Sequence, residues 1–201
     1  MSGGRVRFIL ASASPARLRT LQRAGVEPEV IVSDVDEESV TADNTYLLVS
    51  KLASMKCLAV QEHIVGRALV LGCDSMLEFE GESLGKPGDY ETAVERWKRM
   101  RGKSGVLHTG HALEDGHRTT MATVSTRVHF ADVSDEEIEL YCRTGEPQNV
   151  AGGFTIDGFG GWFITGVEGD PHSVVGLSLP VLRTMLAQYG LTLADLGYPQ
   201  V

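Results

Sequence analysis

The amino-acid sequence predicts an α/β fold, and three stretches carry this prediction. Residues 68–73 form a short, almost uninterrupted apolar run, typical of a strand buried on both faces of a sheet. Residues 6–25 have the pattern of a strand, a serine-rich turn and a helix. Residues 41–63 have the three- and four-residue apolar spacing of an amphipathic helix. We therefore expect helices packed around a sheet.

Length and composition limit the classes of protein to consider. The chain has 201 residues, and we predict a single domain over residues 1–201. Its net charge of −9, without a basic tail, argues against nucleic-acid binding. Its three cysteines are far apart in sequence, which predicts reduced thiols in a cytoplasmic protein. We expect no membrane partner, because no apolar stretch is long enough for a signal sequence or a span.

The first strand, residues 6–10, leads into a turn suited to phosphate. Ser14 is a natural helix N-cap, so free backbone N–H groups and the positive end of the helix dipole would face the turn. Arg17 could add a charge-assisted contact to the same anion, and the hydroxyl of Ser12 another donor. An ordinary helix start is the simpler interpretation of this motif alone.

A second strand, residues 29–33, runs into the acidic residues 34–38. Clustered carboxylates can hold a divalent cation, although a solvated acidic loop is the commoner explanation. The spacing is also similar to the nucleophile motif of haloacid-dehalogenase-like phosphatases, with Asp34 as nucleophile. Glu38 stands where that motif has Thr or Val.

The helix predicted over residues 41–63 carries Lys56 inside its apolar stripe, which includes Leu48, Leu52 and Met55. A lysine on a buried face either extends to the edge of the core or points into a cleft to meet an anion. Both interpretations stay open from the sequence.

The strand at residues 68–73 is expected to end at Asp74, where open α/β sheets place ligand chemistry. A hairpin turn at residues 80–82 would then return the chain to Lys86, which precedes Pro87. An isolated, solvated acid and lysine is the alternative.

The remaining elements surround this unit. His108 and His111 would point to opposite faces of one strand, so we predict no zinc site there. The glycine-rich residues 145–180 are expected to contain no helix. The other predicted elements are a helix from Asp89 to Met100, strands at residues 104–113 and 119–130, a helix from Ser134 through Cys142, and a last helix at residues 179–189.

Eight short motifs, in order along nearly the whole chain, resemble the Maf family of nucleoside triphosphate pyrophosphatases. They are Leu10-Ala11-Ser12-Ala13-Ser14-Pro15-x-Arg17, Val35-Asp36-Glu37, Leu52-Ala53-x-x-Lys56, Gly72-Cys73-Asp74-Ser75, Gly85-Lys86-Pro87, Thr109-Gly110, Ala151-Gly152-Gly153-Phe154 and Val174-Val175-Gly176-Leu177.

The resemblance implies a fold, an activity and an assembly. The fold is a two-lobed α/β fold like that of inosine triphosphatases, with an elongated mixed sheet and a central cleft, usually in a homodimer. The activity is hydrolysis of the α–β phosphoanhydride of a nucleoside triphosphate, with a divalent metal such as Mg²⁺ or Mn²⁺. The expected substrates are non-standard or modified nucleotides, which is a house-cleaning role.

The same resemblance assigns roles to individual residues. Asp74, Lys56 and Lys86 correspond to catalytic positions, and Glu37 and Asp74 to metal ligands. Ser14, Arg17 and Glu37 correspond to phosphate-binding positions, and Ala16, Ser75 and Asp157 to positions linked to base choice. Ser12 is expected to bind substrate as a further donor of the serine-rich turn. Asp157 would accept hydrogen bonds from a guanine-like edge, towards which the base preference tilts without being decided. A nucleotide-binding regulator of cell division with little turnover remains an alternative.

Overall fold

The computed structural model describes residues 5–198, which form a mixed seven-stranded sheet with helices against it. The strands are β1 Phe8–Ala11, β2 Glu29–Val30, β3 Leu69–Phe79, β4 Glu82–Leu84, β5 Ser104–Glu114, β6 Thr119–Phe130 and β7 Ile164–Glu168. The helices are α1 Pro15–Arg23, α2 Thr45–Gln61, α3 Tyr90–Met100, α4 Asp135–Arg143, α5 Pro171–Val174 and α6 Leu179–Gln188. Short 3₁₀ turns lie at Pro147–Asn149, Ala151–Gly153, Phe159–Phe163 and Leu193–Leu196.

The sheet is organised around β3. The strand order is β2-β1-β3-β5-β6-β7, with β4 paired to β3 beside this path. On one edge, β3 pairs antiparallel with β5 along residues 70–78. On the other edge, it pairs in parallel with β1 over residues 69–72 and antiparallel with β4 over residues 77–79. Within residues 5–198, no strand pairs with that second edge at residues 73–76, and this opening is called the gap below.

The hydrophobic core divides into two lobes on either side of the gap. In the first lobe, α1 and α6 pack on one face of the sheet, and α2 packs on the opposite face. In the second lobe, α3 and α4 cover the sheet around the fully buried Trp97, which is edge-on to Tyr141 and Phe130. The long strands β3 and β5 run through both lobes, so the two lobes share one sheet.

Two glycines allow α2 to lie directly on the sheet. A Cβ atom on Gly72 would lie 2.2 Å from the carbonyl oxygen of Ala53, and one on Gly110 would lie 2.3 Å from that of Val49. Both distances are far below a van der Waals contact, so any side chain would push the helix outward. This close approach sets the distance between α2 and β3.

Local sequence signals predicted the starts of α1, α3 and α4. Ser14, Asp89 and Ser134 are N-caps, and Ser134 forms the complete capping box with Glu137. The turn after β3 has positive φ at both Glu80 and Gly81, as a two-residue hairpin turn requires. Cys57, Cys73 and Cys142 are free thiols. No helix among residues 5–198 is both long enough and apolar enough to cross a membrane.

The expectation that Asp74 ends its strand was wrong. β3 continues to Phe79, because residues after Asp74 still pair with β5. The apolar run stops at Cys73 because polar side chains line the gap that begins there, although the strand itself goes on.

Other boundaries also shifted. α2 begins at Thr45 rather than at residue 41, because the side chain of Asn44 accepts the hydrogen bond that caps it. β2 has two residues instead of five. The expectation of no helix in residues 145–180 was wrong as well: Asp170 caps the short α5, and three 3₁₀ turns precede it along the chain.

Candidate active site

The gap in the sheet brings side chains from both of its faces to one place. Side chains alternate along a strand, so the neighbours Asp74 and Ser75 point to opposite faces. Asp74 contacts α2 through Lys56, and Ser75 contacts α1 through Arg17. Among the described residues, no strand pairs with this edge. A ligand in the gap can therefore contact side chains on both faces of the sheet.

Lys56 is the centre of a cluster of charges on the α2 face. Its Nζ atom lies 2.5 Å from Oδ1 of Asp74 and 2.8 Å from Oε1 of Glu37. The side chains of Lys56 and Asp74 are almost fully buried, whereas that of Glu37 is half exposed. The choice between an edge lysine and a cleft lysine is thereby decided, since Lys56 points into the sheet at the gap.

Asp74 has the properties of a group that can exchange a proton. Burial raises the pKa of Asp74, while the positive charges of Lys56 and Arg17 oppose that rise. Oδ1 is bound to Lys56, but Oδ2 is buried and has no hydrogen-bond partner among the described residues. A buried carboxylate oxygen without a partner is costly, so Oδ2 indicates a place for a ligand, a water or a cation.

The serine-rich turn holds Arg17 on the other face. Oγ of Ser14 accepts the backbone N–H of Arg17 at 3.5 Å, which caps α1. Oγ of Ser12 accepts from the backbone N–H of Ser14 and from Nη1 of Arg17. The predicted turn is therefore present, with a buried guanidinium beside it.

Arg17 also depends on Gly176 and Thr109, neither of which was predicted as a site residue. Its Nε–H donates to the carbonyl oxygen of Gly176 at 2.8 Å, and its Nη2 donates to Oγ of Ser75, which is also bonded to Thr109. Thr109 and Gly176 lie in two of the eight motifs. Those motifs were the available signal, because neither residue type by itself points to a site.

Other predicted residues lie outside this cluster. Lys86 is exposed, in the loop after β4, and Asp157 is exposed in the loop between the 3₁₀ turns. Ala16 is half-buried in the first turn of α1. Asp34 is exposed, and the acid that reaches Lys56 is Glu37 rather than Asp34.

The loop that carries Asp157 is shaped by Glu146. The carboxylate of Glu146 accepts hydrogen bonds from the hydroxyls of Tyr141 and Thr155 and from the backbone N–H groups of Phe159 and Gly160. Burial alone would raise the pKa of Glu146, but these hydrogen bonds lower it below its ordinary value. Glu146 therefore serves the fold of this loop as a charged acceptor.

Comparison with known proteins places these features in a family. The Maf-like protein family model matches residues 7–189, which include the whole gap and its side chains. The chain belongs to the Maf family.

A relative from Salinispora tropica is 54% identical over 197 residues, covering 95% of this chain and 87% of the relative. Relatives from Streptomyces coelicolor and Synechocystis are 49% and 48% identical, covering 97% and 94% of this chain and 96% and 97% of themselves. All three Maf relatives are named nucleoside triphosphate pyrophosphatase.

Proposed function

We propose that this chain is a nucleoside triphosphate pyrophosphatase, which cleaves the α–β phosphoanhydride to give a monophosphate and pyrophosphate. One observation carries this proposal: the buried carboxylate of Asp74 lies at a gap where Lys56 approaches from one face of the sheet and Arg17 from the other. Phosphoryl transfer depends mainly on positioning and on charge stabilisation, and this arrangement supplies both. The names of the relatives agree with it.

Asp74 is the proposed general base. Water attacks the α-phosphorus and forms a new P–O bond, its proton passes to Oδ2 of Asp74, and the bond from that phosphorus to the bridging oxygen breaks so that pyrophosphate leaves. Oδ2 is the oxygen that Lys56 leaves unused. Burial raises the pKa of Asp74, and the charge of Lys56 opposes that rise.

Arg17 and Lys86 are the proposed phosphate ligands, with Ser12 and Ser14 as further donors. Arg17 is held rigidly by three hydrogen bonds. Lys86 differs, because its long side chain is exposed and would reach the phosphates only when a substrate is bound. Positive charges here would offset the negative charge that develops on the pyrophosphate.

Glu37 and Asp74 are the proposed ligands of Mg²⁺ or Mn²⁺. Among residues 5–198 there is no cluster of three or more His, Cys, Asp or Glu side chains arranged for a metal. Two carboxylates nevertheless fit Mg²⁺, which commonly takes one or two with waters and substrate phosphates. The unpartnered Oδ2 is the donor in the alternative in which Asp74 binds the metal that activates the water instead of taking its proton. A bound metal would supply Lewis-acid stabilisation of the phosphate charge.

Base choice is proposed to involve Ala16 and Asp157. Asp157 is exposed and accepts hydrogen bonds only, which favours a base with adjacent N–H donors, such as guanine or a modified guanine. Ala16 leaves space beside the turn instead of a stacking surface. Removal of modified nucleotides would follow from that preference.

The assembly and the location are proposals of the same kind. We propose a cytoplasmic homodimer. Buried, free thiols are compatible with a reducing compartment. Exposed apolar side chains such as Trp162, at 87% exposure, offer surface for self-association. Sedimentation velocity across a concentration series would test the dimer.

Product analysis tests the activity. Purified protein with Mg²⁺ or Mn²⁺ is incubated with dTTP, UTP, GTP, 7-methyl-GTP and 5-methyl-UTP, alongside the variants Asp74→Asn and Asp34→Asn. We expect monophosphate and pyrophosphate from wild type and from Asp34→Asn, with a loss of at least about a hundredfold in Asp74→Asn. Release of orthophosphate that depends on Asp34 would favour a phosphomonoesterase. Binding without turnover across the panel would favour a regulator.

A further inference from the structure

Arg17 is held by hydrogen bonds that leave part of its guanidinium free. Of its five N–H groups, Nε–H donates to the carbonyl oxygen of Gly176 at 2.8 Å, and Nη1 and Nη2 each donate once, to Ser12 at 2.9 Å and to Ser75 at 3.1 Å. One N–H on each terminal nitrogen therefore has no partner among the described residues. N–H groups on the two terminal nitrogens of a guanidinium can together bind a phosphate in a bidentate manner.

The hydrogen bond between Ser75 and Thr109 has a direction that can be worked out. The hydroxyl of Thr109 has one proton, and it donates that proton to the carbonyl oxygen of Ser173 at 2.8 Å. The proton in the 2.9 Å contact between Ser75 and Thr109 must then come from Ser75. Oγ of Ser75 consequently offers a lone pair to Arg17 and has no proton left for a ligand.

The hydrogen bonds from Arg17 lead to a segment that joins the two lobes, directly to Gly176 and through Ser75 and Thr109 to Ser173. Residues 169–178 run from β7 in one lobe to α6 in the other. Within them, Ser173 is fully buried and tied to Thr126 by its hydroxyl, and Gly176 lies directly over Arg17. A Cβ on Gly176 would lie 3.2 Å from Nε of Arg17, and its φ of 107° also favours glycine.

We propose that Ser75, Thr109 and Gly176 are positioning residues, which orient Arg17 so that its two free N–H groups face the phosphates of the substrate. This inference rests on the proposed function and deepens it. It also changes the role of Ser75: its hydroxyl proton is used inside the protein, so Ser75 acts on the phosphate end of the substrate through Arg17. The side chain of Thr109 is fully buried, so Thr109 acts on the substrate only through its hydrogen bond to Ser75 and the bond of Ser75 to Arg17. These two bonds are called the relay below.

The first test measures binding of inorganic pyrophosphate with Mg²⁺ by calorimetry, which requires no turnover. Thr109→Val has the same shape but removes the hydroxyl, and Thr109→Ser restores it. We expect Thr109→Val to weaken pyrophosphate binding about tenfold, as loss of a hydrogen bond in a charged network predicts, and Thr109→Ser to bind as wild type does. In turnover, Thr109→Val should raise KM more than it lowers kcat.

A double-mutant cycle separates positioning from a general effect on the fold. If Thr109 acts through Arg17, then Thr109→Val should cost less than about twofold in binding when Arg17→Lys is already present. An equal cost in both backgrounds would overturn the proposal, and so would wild-type binding by Thr109→Val. Should Thr109→Val fail to fold, Ser75→Ala takes its place in the same cycle.

The outcomes distinguish this inference from the proposed activity. If the variants show the expected pattern of pyrophosphate binding but wild type cleaves no nucleotide, the relay stands and the proposed pyrophosphatase activity is refuted. Cleavage of nucleotides with Thr109→Val equal to wild type would refute the relay alone. Absence of pyrophosphate binding by wild type at millimolar concentration would refute the relay as a phosphate-orienting device.

Discussion

The ammonium of Lys56 joins two carboxylates, lying 2.5 Å from Asp74 and 2.8 Å from Glu37. Removing it as Lys56→Met would leave Asp74 buried without an adjacent cation, which we expect to lower the free energy of unfolding by about 3–5 kcal/mol. Asp74→Asn should be milder, and the double variant should recover part of the loss of Lys56→Met. Urea denaturation at pH 7 measures all three. Costs that simply add would contradict the coupling.

The contact between α2 and β5 at Gly110 predicts a strong effect of one methyl group. In Gly110→Ala, the new Cβ would lie 2.3 Å from the carbonyl oxygen of Val49. This atom belongs to the helix backbone, so the clash cannot be relieved by a change of side-chain rotamer. We expect a loss of about 1–3 kcal/mol in stability. Turnover should fall further than stability explains, because α2 carries Lys56.

The matched stability control is Gly85→Ala, since a methyl group added at Gly85 would have no neighbouring atom within 4 Å and the residue does not have positive φ. Its free energy of unfolding should stay within about 0.5 kcal/mol of wild type. Equal losses for the two variants would show that close packing of α2 is not the cause.

Glu146 should hold the loop that carries Asp157. Glu146→Gln replaces a carboxylate that accepts from Tyr141, Thr155 and the backbone of Gly160 with an amide that presents N–H groups to some of these donors. We expect a loss of about 1–3 kcal/mol and faster amide exchange at Gly160. Glu38→Gln, at an exposed position, is the control and should change neither. Unchanged exchange at Gly160 would refute this role.

His111 should make stability depend on pH. Burial lowers the pKa of His111 to about 4, and its Nε2 accepts the backbone N–H of Ser178 at 2.9 Å, a bond that protonation of Nε2 would break. The unfolded chain takes up this proton near pH 6.5, and the folded chain only near pH 4. Stability should therefore be full above pH 6.5 and fall as the pH drops towards 4, by on the order of 3 kcal/mol from this group.

Urea denaturation at pH 7, 6, 5 and 4.5 would measure that slope, with His111→Gln as the variant that lacks the titrating group. His63→Gln, the same substitution at an exposed position, is the matched control. If the free energy of unfolding changed with pH equally in wild type and in His111→Gln, the pH dependence would not come from His111.

The sequence predicted those parts of the fold that depend on neighbouring residues. The caps at Ser14, Asp89 and Ser134 follow from hydrogen bonds within one helical turn, so the local residue types are sufficient. The apolar stripe placed Lys56 on the buried face of α2, but it left open whether the ammonium reaches the edge of the core or a cleft. Local chemistry of this kind can be recognised without the rest of the chain.

What the sequence could not predict depends on distant partners. Asp74 looked like the end of a strand because its apolar run stops, whereas pairing with β5 carries the strand further. The contact between Arg17 and Gly176 joins residues 159 positions apart, and no local pattern specifies it. The positions of Lys86 and Asp157 relative to a substrate remain predictions, because both side chains are exposed.

The adjacency of Asp74 and Ser75 has a consequence for how this chain can evolve. One peptide bond separates the acid facing α2 from the hydroxyl facing α1. Inserting or deleting a single residue in 73–76 would turn every later side chain of β3 to the wrong face. The exposed loops can change in length from one descendant to the next, but this short stretch can vary only by substitution.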